Sequence, residues 1–337
     1  MITVTGVTRR FGEVAAADGV DLEVGDGEVV ALLGPSGCGK TTMLRLLAGF
    51  ERPDAGVIEI AGRTVAGGGE WVAPEARRVG LVFQDYALFP HLTVAANIGF
   101  GLPRRDRRAR VAELLALMGL DELGDRHPHQ LSGGQQQRVA VARALAPRPR
   151  VVLLDEPWNT IDPQLRGELR GEVLSTLRVE GVTVVLVTHE IEEAFSLADR
   201  IMLMRAGRVV QSGSPEQLYY APCSAWAASF LGDANFLAAD RALALLSECG
   251  ETCPRFPEGC VGRVLLRPEL LEPVPDVTGS ARVVQREFRG HDVWYRIRLS
   301  DGSELCAQRP STEAVEVDSP VRLRVHRAPA GLALIQD

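Results

Sequence analysis

The chain has 337 residues, 46% of them hydrophobic and 24% charged, with a formal net charge of −7, a length that suits about two domains. That balance argues against a disordered chain and against a broad electrostatic footprint for nucleic acid. No apolar run reaches the ~18 residues of a membrane-spanning helix, and residues 1–12 lack the apolar core of a signal peptide, so neither spanning nor export is expected.

In chain order, residues 28–33 (Glu-Val-Val-Ala-Leu-Leu) predict a short buried strand. A glycine-rich turn follows, and then residues 43–48 form a helix that stops near Gly49. Residues 79–83 predict another strand, and 91–147 are mostly helical, notably 110–118 and 135–145. Residues 151–154 and 183–187 are continuous apolar runs, suited to central parallel strands covered on both faces. Helical stretches separate them, as in βαβ units. Beyond about residue 235 the pattern changes to short alternating strands at 262–267, 281–285, 293–299 and 321–325, with Asp301-Gly302 as a hairpin signal. The expected architecture is an α/β domain over residues 1–235, with a helical part at about 88–148, followed by a small β domain over 236–337.

The turn after the first buried strand reads Gly34, Pro35, Ser36, Gly37, Cys38, Gly39, Lys40, Thr41 and Thr42, and fits G-x-x-x-x-G-K-[ST] in full. Its glycines let the backbone turn tightly so that N–H groups converge on phosphate oxygens, and the next helix adds its positive end. Lys40 would reach the β- and γ-phosphates and Thr41 would offer its hydroxyl to Mg²⁺. Lys40 is the only lysine in a chain that otherwise uses arginine for every positive side chain. A compact ammonium on a flexible stem is what this position requires, and a planar guanidinium does not replace it.

Asp155 and Glu156 end the apolar strand at 151–154. Asp155 is placed to hold the Mg²⁺ shell, and Glu156 to polarise a water for in-line attack. His189 follows the strand at 183–187, at the sheet edge where ligands of parallel sheets bind. Six cysteines are present without a C-x-x-C pair and read as reduced thiols. Cys249, Cys253 and Cys260 cluster without a nearby fourth ligand and read as a loop with incidental thiols. The basic run at 104–110 reads as a solvated helix face or as one turned to lipid headgroups.

Residues 131–135, Leu-Ser-Gly-Gly-Gln, complete a set that resembles the ATPase subunit of an ABC transporter. The resemblance implies a P-loop ATPase domain with a helical subdomain and a small C-terminal β-barrel-like domain of the OB/TOBE type. It implies a homodimeric ATP sandwich in which Ser132, Gly133, Gly134 and Gln135 of one subunit close on the γ-phosphate held by the loop of another. Gln84 matches the Q-loop, a sensor of Mg²⁺ and γ-phosphate. Phe11 matches the aromatic that stacks on adenine, with an ordinary core role as the alternative. Asp162 matches the D-loop acid that communicates across the dimer. Residues 83–93 look like importer ATPases, where Leu88, Phe89 and Pro90 would meet a coupling helix or simply pack within the subdomain. One departure stands out. The family usually reads Leu-Ser-Ala-Leu-Asp where this chain reads Trp158, Asn159, Thr160, Ile161 and Asp162; Trp158 either alters dimer closure or fills a pocket.

The implied function is ATP hydrolysis, with ATP and Mg²⁺, that powers import through two membrane permease subunits or domains. A solute-binding protein outside the membrane would take part indirectly, nucleic acid would have no role, and the subunit would sit peripherally on the cytoplasmic face of the inner membrane. Leu266, Arg267, Pro268 and Glu269 look like the C-terminal β domain of the maltose, sulfate, polyamine and ferric-iron group, and Tyr219 with residues 230–236 resembles ferric-iron import ATPases most closely. Polyamine importers come next, and sulfate and sugar importers belong to the same group. A soluble ABC ATPase of DNA repair or translation is a rival, but this chain has neither tandem ATPase halves nor a coiled-coil insertion. The intact Glu156 and His189 speak against a non-hydrolysing regulator.

Overall fold

The structure, a computed structural model, describes residues 1–159, 161, 163–248, 262–312, 314–326 and 333–335. The chain divides into two compact units, Met1–Pro215 and Glu216–Asp337.

The first unit opens with β1 (Ile2–Phe11), β2 (Val14–Val24), β3 (Val29–Leu33) and α1 (Lys40–Ala48). It continues through β4 (Ala55–Ile60), β5 (Arg63–Gly67), β6 (Glu70–Trp71) and β7 (Val79–Val82). The helices α2 (Val94–Ile98), α3 (Arg104–Leu117) and α4 (Gly133–Leu145) come next. The unit closes with β8 (Val151–Asp155), α5 (Pro163–Val179), β9 (Thr183–Thr188), α6 (Ile191–Leu197), β10 (Arg200–Arg205) and β11 (Arg208–Gly213).

Its central sheet has the order β11-β10-β3-β9-β8-β7, parallel from β10 to β7. The inner strands β3 and β9 are buried at every residue, as expected of β-branched and Leu runs covered on both faces. A second, antiparallel sheet, β2-β1-β4-β5-β6, packs its apolar face against α1 and one side of the central sheet. The helices α3, α4 and α5 contribute to the core on the other side.

Arg77 shows what holds α1 in place. It is buried, and its guanidinium donates to the carbonyls of Leu46 (2.7 Å) and Leu47 (3.0 Å) at the end of α1, and to those of Val65 and Val72. Helix-end carbonyls lack intrahelical donors, and one arginine supplies them here. Burial pushes Arg77 down to about 10, which leaves it ionised at neutral pH.

The basic run divides. Arg104, Arg105, Arg107 and Arg108 are exposed, whereas Arg110 is only 5% exposed and pairs with Glu180 at 2.7 Å and Glu113 at 2.8 Å. At ~100° per residue the six-residue step from Arg104 carries Arg110 to the inner side of α3. For that residue the solvated-face reading is corrected.

The second unit contains α7 (Pro215–Tyr220, with Pro215 as its lead-in), α8 (Ala225–Leu231), β12 (Asn235–Ala238), α9 (Ala239–Glu248), β13 (Arg263–Leu266) and β14 (Leu271–Pro275). The strands β15 (Ala281–Phe288), β16 (Asp292–Arg298), β17 (Glu304–Pro310), β18 (Pro320–Val325) and β19 (Leu334–Ile335) follow. They form two antiparallel sheets, β12-β13-β19 and β14-β18-β15-β16-β17. The Asp301-Gly302 turn joins β16 to β17, with Gly302 at φ 88, the left-handed region that glycine adopts without strain.

The division at 215 lies ahead of the expected 235 because α7 and α8 are tied to β13. Ala228 packs on Leu265 and Ile335. Arg267, 1% exposed, donates to the carbonyls of Tyr219 (2.8 Å), Ala228 (2.9 Å), Gly232 (3.0 Å) and Asp233 (3.0 Å). The cysteines at 249, 253 and 260 lie outside the described residues. Among the described residues, no group of three or more His, Cys, Asp or Glu is arranged to hold a metal ion.

Candidate active site

Four adjacent parallel strands, β3, β9, β8 and β7, end nearly level: Leu33 pairs with Thr188, Val187 with Asp155, and Leu154 with Val82. The sequence elements that follow those ends are the glycine-rich loop, His189, the Asp155–Glu156 pair and Gln84. Strand order therefore lines up four segments that lie far apart along the chain.

The loop from Gly34 to Gly39 packs closely on its surroundings. A Cβ at Gly39 would meet the carbonyl oxygen of Ala16 at 2.0 Å, and one at Gly34 would meet that of Met204 at 2.3 Å. Gly39 caps α1 at φ 108 with no side-chain cap on the helix N-terminus. The first N–H groups of α1 therefore remain donors for an anion. Lys40 is 5% exposed, and its ammonium donates to the carbonyls of Gly34 (2.7 Å) and Pro35 (3.1 Å). Cys38 is buried, with its sulfur 3.9 Å from the Lys40 ammonium, and burial pushes its thiol up.

Thr41 donates its hydroxyl to Asp155 Oδ1 at 3.3 Å. Burial holds Asp155 above the usual carboxylate range, against the bond from Thr41, and the charge of Glu156 adds to the rise. A carboxyl that titrates higher in the folded chain favours folding while protonated and loses that advantage as pH rises. At neutral pH the ionised Asp155 thus lowers stability. Asp155→Asn is expected to raise the Tm of the nucleotide-free chain at pH 7, with the difference vanishing below about pH 4, where the unfolded carboxyl is also protonated. Thermal denaturation across pH checks this, and an unchanged Tm at pH 7 contradicts it.

Glu156 has a left-handed backbone, φ 44, a conformation that costs a non-glycine residue about 1 kcal/mol. Its N–H donates to Val187 O at 3.0 Å across the strand ends. One carboxylate oxygen lies 3.1 Å from His189 Nδ1, and the other accepts from the Asn159 amide. Sequence reasoning missed Asn159, Arg166 and Glu190. Arg166 donates to Ile161 O (2.8 Å), Asn159 O (3.3 Å) and Glu190 Oε1 (2.7 Å). Arg170 holds the other Glu190 oxygen at 2.7 Å and Glu193 at 3.1 Å. Burial pushes Glu193 up, although Thr188 and Arg170 oppose the rise. Trp158 is 1% exposed within the core, with Arg170 5.8 Å above its ring; it fills a pocket.

Other sequence-selected residues stand apart from this row. Ser132 caps α4 and shares a capping box with Gln135, and Ser132 and Gly133 are exposed. Among the described residues, no hydrogen bond or ion pair joins residues 132–135 to the glycine-rich loop. Phe11 ends β1 and is 46% exposed, with the Arg9 guanidinium 4.7 Å above its ring, so it is not a core residue. Gln84 is exposed in the turn after β7. Asp162 lies outside the described residues. The Phe89 ring lies 4.3 Å from that of Phe100, tilted by 40°, and the Asn97 amide pins the intervening loop by donating to the Phe89, Leu92 and Thr93 carbonyls, each at 3.1 Å.

Comparison with known proteins gives two family matches: ABC transporter over residues 17–159 and TOBE domain over 264–331. The Fe(3+) ions import ATP-binding protein FbpC 1 of Rhodococcus jostii is 48% identical over 317 residues, 91% of this chain and 90% of that protein. This chain is an ABC transporter ATPase. The spermidine/putrescine import ATP-binding protein PotA of Nitratidesulfovibrio vulgaris is 43% identical to the ABC ATPase over 91% of the chain and 89% of its own length. The sulfate/thiosulfate import ATP-binding protein CysA 2 of Chromobacterium violaceum is 52% identical over 71% and 66%. Among solved structures, the dimeric post-hydrolysis state of the ATP-binding cassette MJ0796 bound to ADP and Pi is similar at TM-score 0.56 and 33% identity, over 64% of this chain and 99% of that one. No helix among the described residues of the ABC ATPase is long and apolar enough to cross a membrane.

Proposed function

We propose that this ATPase powers an ABC importer for ferric iron, as one of two copies that sandwich ATP beneath two membrane permease subunits or domains. The observation that supports it best is the row of Lys40, Thr41, Asp155, Glu156 and His189 along the ends of adjacent strands. In this reading residues 34–42 wrap the phosphates with backbone N–H groups, and Lys40 offsets the charge of the β- and γ-phosphates. Glu156 accepts a proton from the attacking water as the oxygen–phosphorus bond forms and the bond to ADP breaks. His189 donates to the γ-phosphate, Gln84 senses it, and Phe11 offers its exposed ring to adenine.

Thr41 and Asp155, two hard oxygen donors in contact, fit Mg²⁺, which takes one or two protein oxygens and completes its shell with phosphate and water. Gln84 is the third candidate donor. When bound, Mg²⁺ neutralises charge developing on the β- and γ-phosphates. Ser132, Gly133, Gly134 and Gln135, at the start of α4, would close on the γ-phosphate of the second copy, and Asp162 would be the acid that communicates across the dimer. The exposed Phe100 beside the half-buried Phe89 supports a groove for a permease helix next to Leu88 and Pro90. The subunit would lie peripherally at the cytoplasmic membrane face, with a solute-binding protein acting on the far side and no role for nucleic acid.

Ferric iron as cargo rests on the resemblance to iron-import relatives. Polyamine and sulfate importers are the alternatives, since their ATPases are nearly as similar. Cells lacking this chain are expected to lose most uptake of radiolabelled ferric iron while retaining spermidine and sulfate uptake. Loss of spermidine or sulfate uptake with iron uptake intact would overturn the assignment.

A further inference from the structure

Glu156 is held on both oxygens, by His189 Nδ1 at 3.1 Å and by the Asn159 amide. The two partners sit on different loops, one after β8 and one after β9. A single guanidinium ties those loops together: Arg166 binds Asn159 O and Ile161 O on one and Glu190 Oε1 on the other. Asn159 is partly buried, and its own N–H donates to Glu156 O at 3.3 Å. The turn that points Glu156 away from its strand therefore brings back the amide that grips its carboxylate.

We infer that Asn159 is the positioning residue for Glu156, holding one carboxylate oxygen through its amide while Arg166 fixes the Asn159 loop to the His189 loop. The inference rests on the proposed role of Glu156 as the base. An amide donor on a carboxylate favours the ionised, proton-accepting form and restricts the rotamer. With Oε2 occupied, Oε1 is the oxygen that faces His189. Serine, usual at this position in the family, offers a shorter hydroxyl in place of the amide.

The full chain is assayed for ATPase, with kcat and KM for ATP read separately and Tm measured beside them.

In Asn159→Ala, kcat is expected to fall about tenfold with KM for ATP within about twofold. Asn159→Asp keeps the shape but exchanges the donor for a like charge, and should lower kcat further. Asn159→Ser should recover part of the loss. A wild-type kcat in both Ala and Asp variants overturns the inference. So does a fall in kcat that comes with a proportionate rise in KM and a lower Tm, because that pattern belongs to a distorted loop. Turnover that persists in Glu156→Gln overturns the parent reading, a failure visible before any Asn159 variant is made.

Discussion

Lys40→Ala is expected to lower ATP turnover by about 10²–10³-fold, the loss that follows removal of one preorganised donor to transition-state charge. The argument rests on surroundings as much as on the motif. The ammonium sits inside the loop, 5% exposed, within reach of the carbonyls of Gly34 and Pro35. No other lysine exists in the chain to take its place. Lys40→Arg should be nearly as damaging, because a planar fork does not fit a cage sized for an ammonium, although charge is conserved. Steady-state phosphate release by the three proteins checks this. An arginine variant near wild-type activity would show that charge alone suffices.

Glu156→Gln is expected to reduce turnover by about 10²–10⁴-fold, the usual contribution of a general base, while ATP binding survives. The amide is nearly isosteric, so its carbonyl oxygen still accepts from Asn159 and the site keeps its shape. ATP should then accumulate uncleaved between two copies, giving a stable dimer by light scattering where the wild type dissociates after hydrolysis. Turnover at the native rate would remove Glu156 from its proposed role. Turnover lost without a dimer would separate catalysis from closure.

Much of the site was legible because its chemistry is written in contiguous segments. Residues 34–42 are a complete loop motif, and Asp155–Glu156 and His189 each follow an apolar run whose strand assignment holds: β8 and β9. Their juxtaposition depends on strand order, and the order β3-β9-β8-β7 is not local information. The residues that reading missed share that feature. Arg77 reaches back to Leu46, and Arg267 reaches back to Tyr219. Arginine in a line of sequence looks like surface charge, and only the fold reveals carbonyls waiting for it. The boundary at 215 was obscured for the same reason, since Arg267 secures α8 from beyond it. The antiparallel sheet of β1, β2 and β4–β6 also escaped, because its half-buried strands mix apolar and polar residues with bulges at several registers. Trp158 looked like a departure near the dimer-facing loop and is a core side chain; a bulky ring in an otherwise polar stretch does not announce which way it turns.

The central claim is that two copies are needed for each cleaved ATP, and the most direct test is the ATPase rate per chain over a concentration series. The proposed sandwich predicts a rate per chain that climbs with concentration and then levels off, because among the described residues no hydrogen bond or ion pair joins residues 132–135 to the loop of their own chain. A rate per chain that stays constant from the most dilute to the most concentrated sample would contradict the sandwich.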